Sequence, residues 1–271
     1  MGAGVAEVAA RAGHDVVLCS RSRETAESAV AAIDAGLGRQ IVKGRLTVDE
    51  RDAIIGRISV TDTITDLADC DLVIESVVEH LATKRALFAE LDAAVKPSAI
   101  LATNTSTLPV VDLATATARP DRVCGIHFFN PAPTMRLVEI VQPLTASTAT
   151  IERAVAFAER CGKEPITVAD HAGFVVNALL FPYLNNAVRL YDAGVASRDD
   201  IDTAMKGGCN FPMGPLELLD LVGLDTSLSI LDALYAEFHD PNFAPAPLLR
   251  RMVAAQRLGR KSGAGFYEYT R

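Results

Sequence analysis

The stretch Met1–Arg23, MGAGVAEVAARAGHDVVLCSRSR, decides how the first half of the chain reads. Gly2 and Gly4 open a helical segment that closes at Gly13, and the apolar run Val16–Cys19 follows at once. By itself Met1–Gly4 also fits an ordinary helix opened by glycines. Followed by a strand, it looks like the second half of a βαβ unit of the dinucleotide-binding kind, in which phosphate rests on the helix N-terminus. The full pattern, G-x-G-x-x-G, requires a strand in front of that helix. The first strand and the first two glycines are missing here. That strand is central in such sheets, so its two neighbours are expected to lose a ladder partner and the chain as written to fold poorly. The residues before Met1 are expected to read as a short β-rich run ending in G-x-G-x.

Further along, short apolar runs alternate with amphipathic stretches, the pattern of a mostly parallel α/β sheet. Expected strands are Val16–Cys19, Ile58–Val60, Leu72–Ser76, Ile100–Thr103, Val123–His127 and Leu137–Val141. Several are apolar throughout, as strands covered on both faces must be. Expected helices include Arg23–Ile33 and Ala82–Ala94. After Ile166 the texture changes, and from His171 no run of strand quality remains. Helices are expected over Phe174–Tyr191, Asp199–Met205, Pro215–Leu221, Thr226–Phe238 and Pro247–Gln256, separated by Gly/Pro-rich breaks. The fold expected is thus α/β, a Rossmann-type sheet over residues 1–168, followed by an all-α domain over residues 169–271.

The 271 residues carry a net charge of -8, which argues against a general nucleic-acid binder, since that needs a basic face. No apolar run approaches the length of a membrane span, and the first residues lack the charged start and apolar core of a signal peptide. A cytoplasmic protein is expected. The five cysteines are scattered without a CxxC pair, so neither a disulfide framework nor a zinc site is indicated.

At the end of Val16–Cys19, where NAD-binding units place an acid for the ribose hydroxyls, stand Ser20 and Arg21. Serine with arginine can bind a 2′-phosphate that an acid would repel. NADP is therefore expected to serve at least as well as NAD, although Arg21 and Arg23 also fit a solvated helix start.

The chemistry concentrates in Leu101–Leu108, LATNTSTL, and Gly125–Val141, GIHFFNPAPTMRLVEIV. Oxidising a secondary alcohol by hydride transfer requires a base for the hydroxyl proton, and histidine is the usual choice. His127 ends an apolar strand, at the edge where open α/β sheets bind ligands. A lone histidine beside Phe128 and Phe129 is more often a packed core residue. Its company argues otherwise: Ser106 and Asn130 also lie at strand ends, and Glu139 interrupts an apolar strand, where a carboxylate is seldom buried without a partner. Paired with His127, Glu139 would fix the imidazole tautomer and stabilise the imidazolium.

With NTSTL, HFFNPAP and LVEIV go AGFVVNALLFPY, GPLELLDLVGLD and GRKSGAGFY, in that order along the chain. This collinear set resembles the L-3-hydroxyacyl-CoA dehydrogenase family, the short-chain 3-hydroxybutyryl-CoA enzymes of bacteria included, over nearly the whole chain. The resemblance implies hydride exchange between a nicotinamide cofactor and a 3-hydroxyacyl or 3-oxoacyl thioester of CoA. It implies His127 as the base and Glu139 as its electrostatic partner. Ser106 and Asn177 then hold the substrate oxygens, and Asn130 lies beside the nicotinamide. Gly2, Ser20, Arg21, Glu79, Lys84, Ser106, Asn130 and Lys261 become the cofactor positions. In isolation, Glu79 and Lys84 would be a surface pair, Lys261 a solvated turn residue, and Asn177 a maker of an interhelical hydrogen bond. Lys43 matches a lysine that contacts CoA phosphates, while Gly36 replaces a family serine near the CoA, which leaves an acyl-carrier protein open as the carrier. His14, His80, His171, His239, Asn185 and Asn186 are expected to be structural or at the surface. A homodimer through the all-α domain is implied, and no metal is expected. Two rivals remain: a CoA-independent β-hydroxyacid dehydrogenase, which would rely on a lysine, and a non-catalytic protein on the same fold.

Overall fold

The computed structural model describes residues 1–269, which divide into two compact units, one ending at Asp170 and the next beginning at His171. The sequence boundary at Ala169 differs from this by two positions.

The first unit opens with α1 (Gly2–Arg11), β1 (Val16–Cys19), α2 (Arg23–Val42), α3 (Val48–Gly56) and β2 (Ile58–Thr61). It continues with β3 (Leu72–Glu75), α4 (Leu81–Ala94), β4 (Ile100–Thr103), α5 (Val110–Ala114), β5 (Val123–Phe128), β6 (Leu137–Gln142), α6 (Thr148–Arg160) and β7 (Glu164–Ala169). Strands β3 to β7 form one sheet in sequence order, parallel throughout except for the antiparallel β5–β6 pair. Strands β1 and β2 form a separate parallel ladder. Among the described residues β1 pairs only with β2, and β3 only with β4.

Strands β4 and β5 are buried along their whole length, which explains their uninterrupted apolar sequence. Their side chains pack with Val5 and Val8 of α1 and with Ile151, Ala154 and Ala158 of α6. On the α2–α3 side, Ile33, Leu37 and Ile54 close a second cluster with Ala6 and Ala10. Burying one such branched side chain is worth about 1.5–3 kcal/mol.

Helix starts follow the capping rules. The Ser22 hydroxyl accepts the Thr25 N–H at α2, and Ser147 accepts that of Thr150 at α6. Thr47 and Glu50 form a reciprocal capping box at α3.

Helix α2 runs nine residues beyond the Ile33 end expected from sequence. Gly36 and Gly38 weaken helix propensity there, and Leu37 between them is fully buried, so packing favours the helical backbone. Strand β7 escaped the sequence reading because its outer positions are exposed and it contains Pro165, which an edge strand tolerates.

The second unit is helical: α7 (Val176–Asp192), α8 (Arg198–Cys209), α9 (Pro215–Val222), α10 (Leu224–Phe238) and α11 (Pro247–Ala254). Helix α7 starts two residues later than expected, because Phe174 has φ +49°, in the left-handed region that no α-helix uses. Phe181, Leu184, Leu216, Leu219, Leu231 and Leu234 form its core. Among the described residues no helix is long and apolar enough to cross a membrane.

Candidate active site

His127 and Glu139 stand directly opposite each other in the antiparallel β5–β6 register, so their side chains share one face of the sheet. Nδ1 of His127 lies 2.8 Å from Oε2 of Glu139, and the side chains are only 5% and 0% exposed. The Phe129 ring packs against the imidazole with centroids 4.7 Å apart. The two strands fit closely here: a Cβ at Gly125 would come within 2.6 Å of Val141 Cβ. This glycine is therefore part of how the pair is brought together.

Ser106 lies in the turn after β4. One carboxylate oxygen of Glu79 gathers this turn, accepting from the Ser106 N–H at 2.9 Å, the Thr105 hydroxyl at 2.5 Å and the Thr107 N–H at 3.3 Å. Burial opposes ionisation of Glu79, but the Thr105 hydroxyl, the Lys84 ammonium and the Ser106 N–H outweigh it and hold the carboxyl below its ordinary range. Lys84 is far from the surface residue that its spacing suggested. Its side chain is 1% exposed, and Nζ donates to both oxygens of Glu75, at 2.7 and 2.9 Å, with Glu79 at 3.3 Å. On the other side of the turn, Asn104 Oδ1 accepts the Phe128 N–H at 2.8 Å, next to His127. The Ser106 turn is thus tied to β3 at one end and to the histidine strand at the other.

The first N–H groups of a helix have no partner within it, which makes the start of α1, at Gly2, an anion-binding feature. Beside it stands Ser76, at the end of β3, with its hydroxyl buried and without a hydrogen-bond partner. A Cβ on Gly2 would sit 3.6 Å from Ser76 Cβ, and one on Gly4 would meet Ala132 and Pro133 at 3.3 Å. An orphaned hydroxyl beside a glycine-opened helix fits a nucleotide's phosphate or ribose. Asn130 is exposed at the end of β5, followed by a cis bond to Pro131. The turn that follows is pinned by Lys163, whose Nζ donates to the carbonyls of Ala132 and Met135 at 2.6 and 2.8 Å.

Ser20 follows β1 and donates its N–H to the Thr61 carbonyl. Arg21 beside it is exposed, while Asp62 accepts the Arg23 N–H at 3.3 Å. Lys43 is exposed at the C-terminal end of α2, and Gly36 lies within that helix.

In the second unit, Asn177 lies in the first turn of α7 and is 7% exposed. Lys261 is half-exposed, with Nζ 2.6 Å from Asp225 Oδ2. Asn185 is structural, as expected: its amide binds the carbonyls of Asn242 and Ala244 and accepts the Ala246 N–H. His80 caps α4, and His239 ends α10.

The sequence reading missed Glu75, Asn104, Asp202 and Asp220. Glu75 was detectable, since it ends an apolar strand just as Glu139 interrupts one. Asp202 accepts the N–H groups of Leu216 and Glu217 and so caps α9. Asp220 accepts the N–H groups of Phe266 and Tyr267 and the Tyr269 hydroxyl. This joins GPLELLDLVGLD to GRKSGAGFY. A Cβ on Gly265 would lie 1.9 Å from Asp220 Oδ1, which gives a packing reason for that glycine.

A buried imidazole–carboxylate pair at a strand end of an α/β unit, beside a glycine-opened helix, is an arrangement suited to taking up and returning a proton next to a bound nucleotide. Comparison with known proteins narrows the class. Residues 1–171 match the family model described as 3-hydroxyacyl-CoA dehydrogenase, NAD binding domain, and residues 173–269 match the C-terminal domain of the same family. The chain belongs to the 3-hydroxyacyl-CoA dehydrogenase family and is an oxidoreductase with a nicotinamide-binding domain. It is 48% identical over 275 residues to a 3-hydroxybutyryl-CoA dehydrogenase of Mycobacterium tuberculosis, covering 99% of this chain and 95% of the relative. It is 44% identical over 277 residues to the mitochondrial hydroxyacyl-coenzyme A dehydrogenase of Sus scrofa, covering 99% and 88%. The crystal structure of (S)-3-hydroxybutyryl-CoA dehydrogenase from Ralstonia eutropha superposes with a TM-score of 0.97 at 42% identity, covering 100% of this chain and 96% of that one.

Proposed function

We propose that this protein interconverts (S)-3-hydroxyacyl-CoA and 3-oxoacyl-CoA, with His127 as the base for the C3 hydroxyl. The observation that carries this reading is the 2.8 Å contact between His127 Nδ1 and Glu139 Oε2. With Nδ1 directed at the carboxylate, Nε2 is the nitrogen turned to the substrate, and the imidazolium formed on proton uptake is stabilised in place. In the reverse direction His127 returns the proton to the 3-oxo oxygen. Bound nicotinamide supplies the hydride acceptor, and the start of α1 with Ser76 and Asn130 would hold it. Ser106 and Asn177 orient the oxygens around C3. CoA is the carrier we favour over an acyl-carrier protein, supported by the relatives' names and by the exposed ammonium of Lys43, which suits a phosphate.

We extend the reading in three directions. NADP(H) serves at least as well as NAD(H), supported by the exposed Arg21 and the absence of an acid at Ser20. The protein forms a homodimer through the helical unit, supported by the exposure of Leu179 and Val195, at 72% and 67%. It works in the cytoplasm, a reducing compartment suited to its five free cysteines.

The test is turnover of reduced nicotinamide with acetoacetyl-CoA against free 3-oxo acids. Activity confined to the thioester is expected. Equal or better turnover of the free acids would overturn the substrate class.

A further inference from the structure

The buried pair Glu75–Lys84 has no place in the chemistry above. Both side chains are 1% exposed, and taking two charges out of water is costly unless every donor and acceptor is used. Here they are used. Glu75 Oε1 accepts the Val77 N–H at 2.5 Å, and Oε2 accepts the Thr103 hydroxyl at 2.8 Å. The Thr103 hydroxyl in turn accepts the Thr105 N–H at 3.2 Å. The Lys84 ammonium donates to both oxygens of Glu75 and pairs with Glu79 Oε2 at 3.3 Å. The other oxygen of Glu79 holds Thr105, Ser106 and Thr107. A continuous chain of contacts therefore runs from Glu75 through Lys84 and Glu79 to the Ser106 backbone. Asn104 fixes the same turn to Phe128, the neighbour of His127.

We propose that Glu75 and Lys84 are positioning residues that aim the Glu79 carboxylate at the 104–108 turn and so set Ser106 at its working distance from His127. This inference rests on the reading of Ser106 as a substrate-orienting group. It assigns Lys84 a role exerted through Glu79. A carboxylate on a short exposed loop would otherwise sample many rotamers. Lys84, immobilised by Glu75, leaves Glu79 one favourable place.

The experiment is a double-mutant cycle with acetoacetyl-CoA as substrate, comparing Glu75→Gln/Lys84→Met, Ser106→Ala and the combination. The first substitution of the pair keeps shape and one acceptor oxygen, enough for either Val77 or Thr103, and the second fills the lysine's volume without charge. The pair variant is expected to lose about tenfold to a hundredfold in kcat, the penalty of a misplaced orienting group. Its dissociation constant for the nicotinamide cofactor should stay within about twofold, and in the Ser106→Ala background it should cost less than about threefold more, because coupled sites are not additive. Full additivity, unchanged kcat, or a loss confined to cofactor affinity would overturn the proposal. If circular dichroism shows the pair variant unfolded, Glu79→Gln carries the same cycle, since that side chain is 38% exposed and lies outside the core. Ser106→Ala at the parent rate would remove the Ser106 reading together with this one. A slow Ser106→Ala beside a fully active pair variant would remove the positioning role alone.

Discussion

Glu139 faces His127 across the antiparallel ladder of β5 and β6, its carboxylate 2.8 Å from the imidazole and shut off from solvent. Glu139→Gln keeps the shape and a hydrogen-bonding oxygen but removes the charge that stabilises an imidazolium and the acceptor-only character that fixes the tautomer. The expected loss in kcat is about a hundredfold to ten-thousandfold, with nicotinamide affinity unchanged. Steady-state kinetics beside cofactor titration measure both.

Cofactor choice is settled by kcat/KM measured with NADH and with NADPH. A value for NADPH at least equal to that for NADH is expected, and Arg21→Glu should lower the NADPH value by about tenfold or more through charge repulsion, while sparing NADH. A strong preference of the parent protein for NADH would sink this reading.

The packing of Gly265 against Asp220 has a direct consequence for stability. Gly265→Ala places a Cβ 1.9 Å from a carboxylate oxygen that already accepts a backbone N–H, and should cost about 4 kcal/mol or more. Gly38→Ala is the contrasting case. It lies inside α2 with nothing within 4 Å of the new Cβ, and should stabilise by about 0.5–1 kcal/mol. Calorimetry of the two variants should move in opposite directions.

Thiol labelling reports the burial pattern. Burial pushes the Cys124 thiol up to about 12 and the Cys161 thiol up to about 11, and it raises Cys19 and Cys70 as well. Since the thiolate is the reacting form, raised thiols react only as pH rises, and the fully buried Cys124 should react last. Cys209 is exposed and should be alkylated first by iodoacetamide. Peptide mapping over time at pH 8 checks the order.

What was legible in the sequence follows from what is local. His127 and Glu139 could be found because each breaks an apolar strand, and burial of charge demands a partner. Strand β7 was not legible because an edge strand needs only one apolar face and can carry a proline. The Lys84 environment was hidden for another reason. Its partner Glu75 lies nine residues away across a strand end, and only the chain reversal after β3 brings them together. Asp220 was equally silent, since its ligands are 46 and 47 residues downstream. The glycine-opened α1 was read as a helix and Ser106 as lying at a strand end, whereas the network that holds the turn around Ser106 required coordinates.

The most direct test of the central claim is His127→Gln, assayed in both directions with a 3-hydroxyacyl-CoA and its 3-oxo partner while cofactor binding is followed by titration. Loss of the base should lower kcat by about a hundredfold to ten-thousandfold and leave the nicotinamide dissociation constant nearly unchanged. A variant that keeps about a tenth of the parent kcat would contradict the assignment of His127 as the proton acceptor.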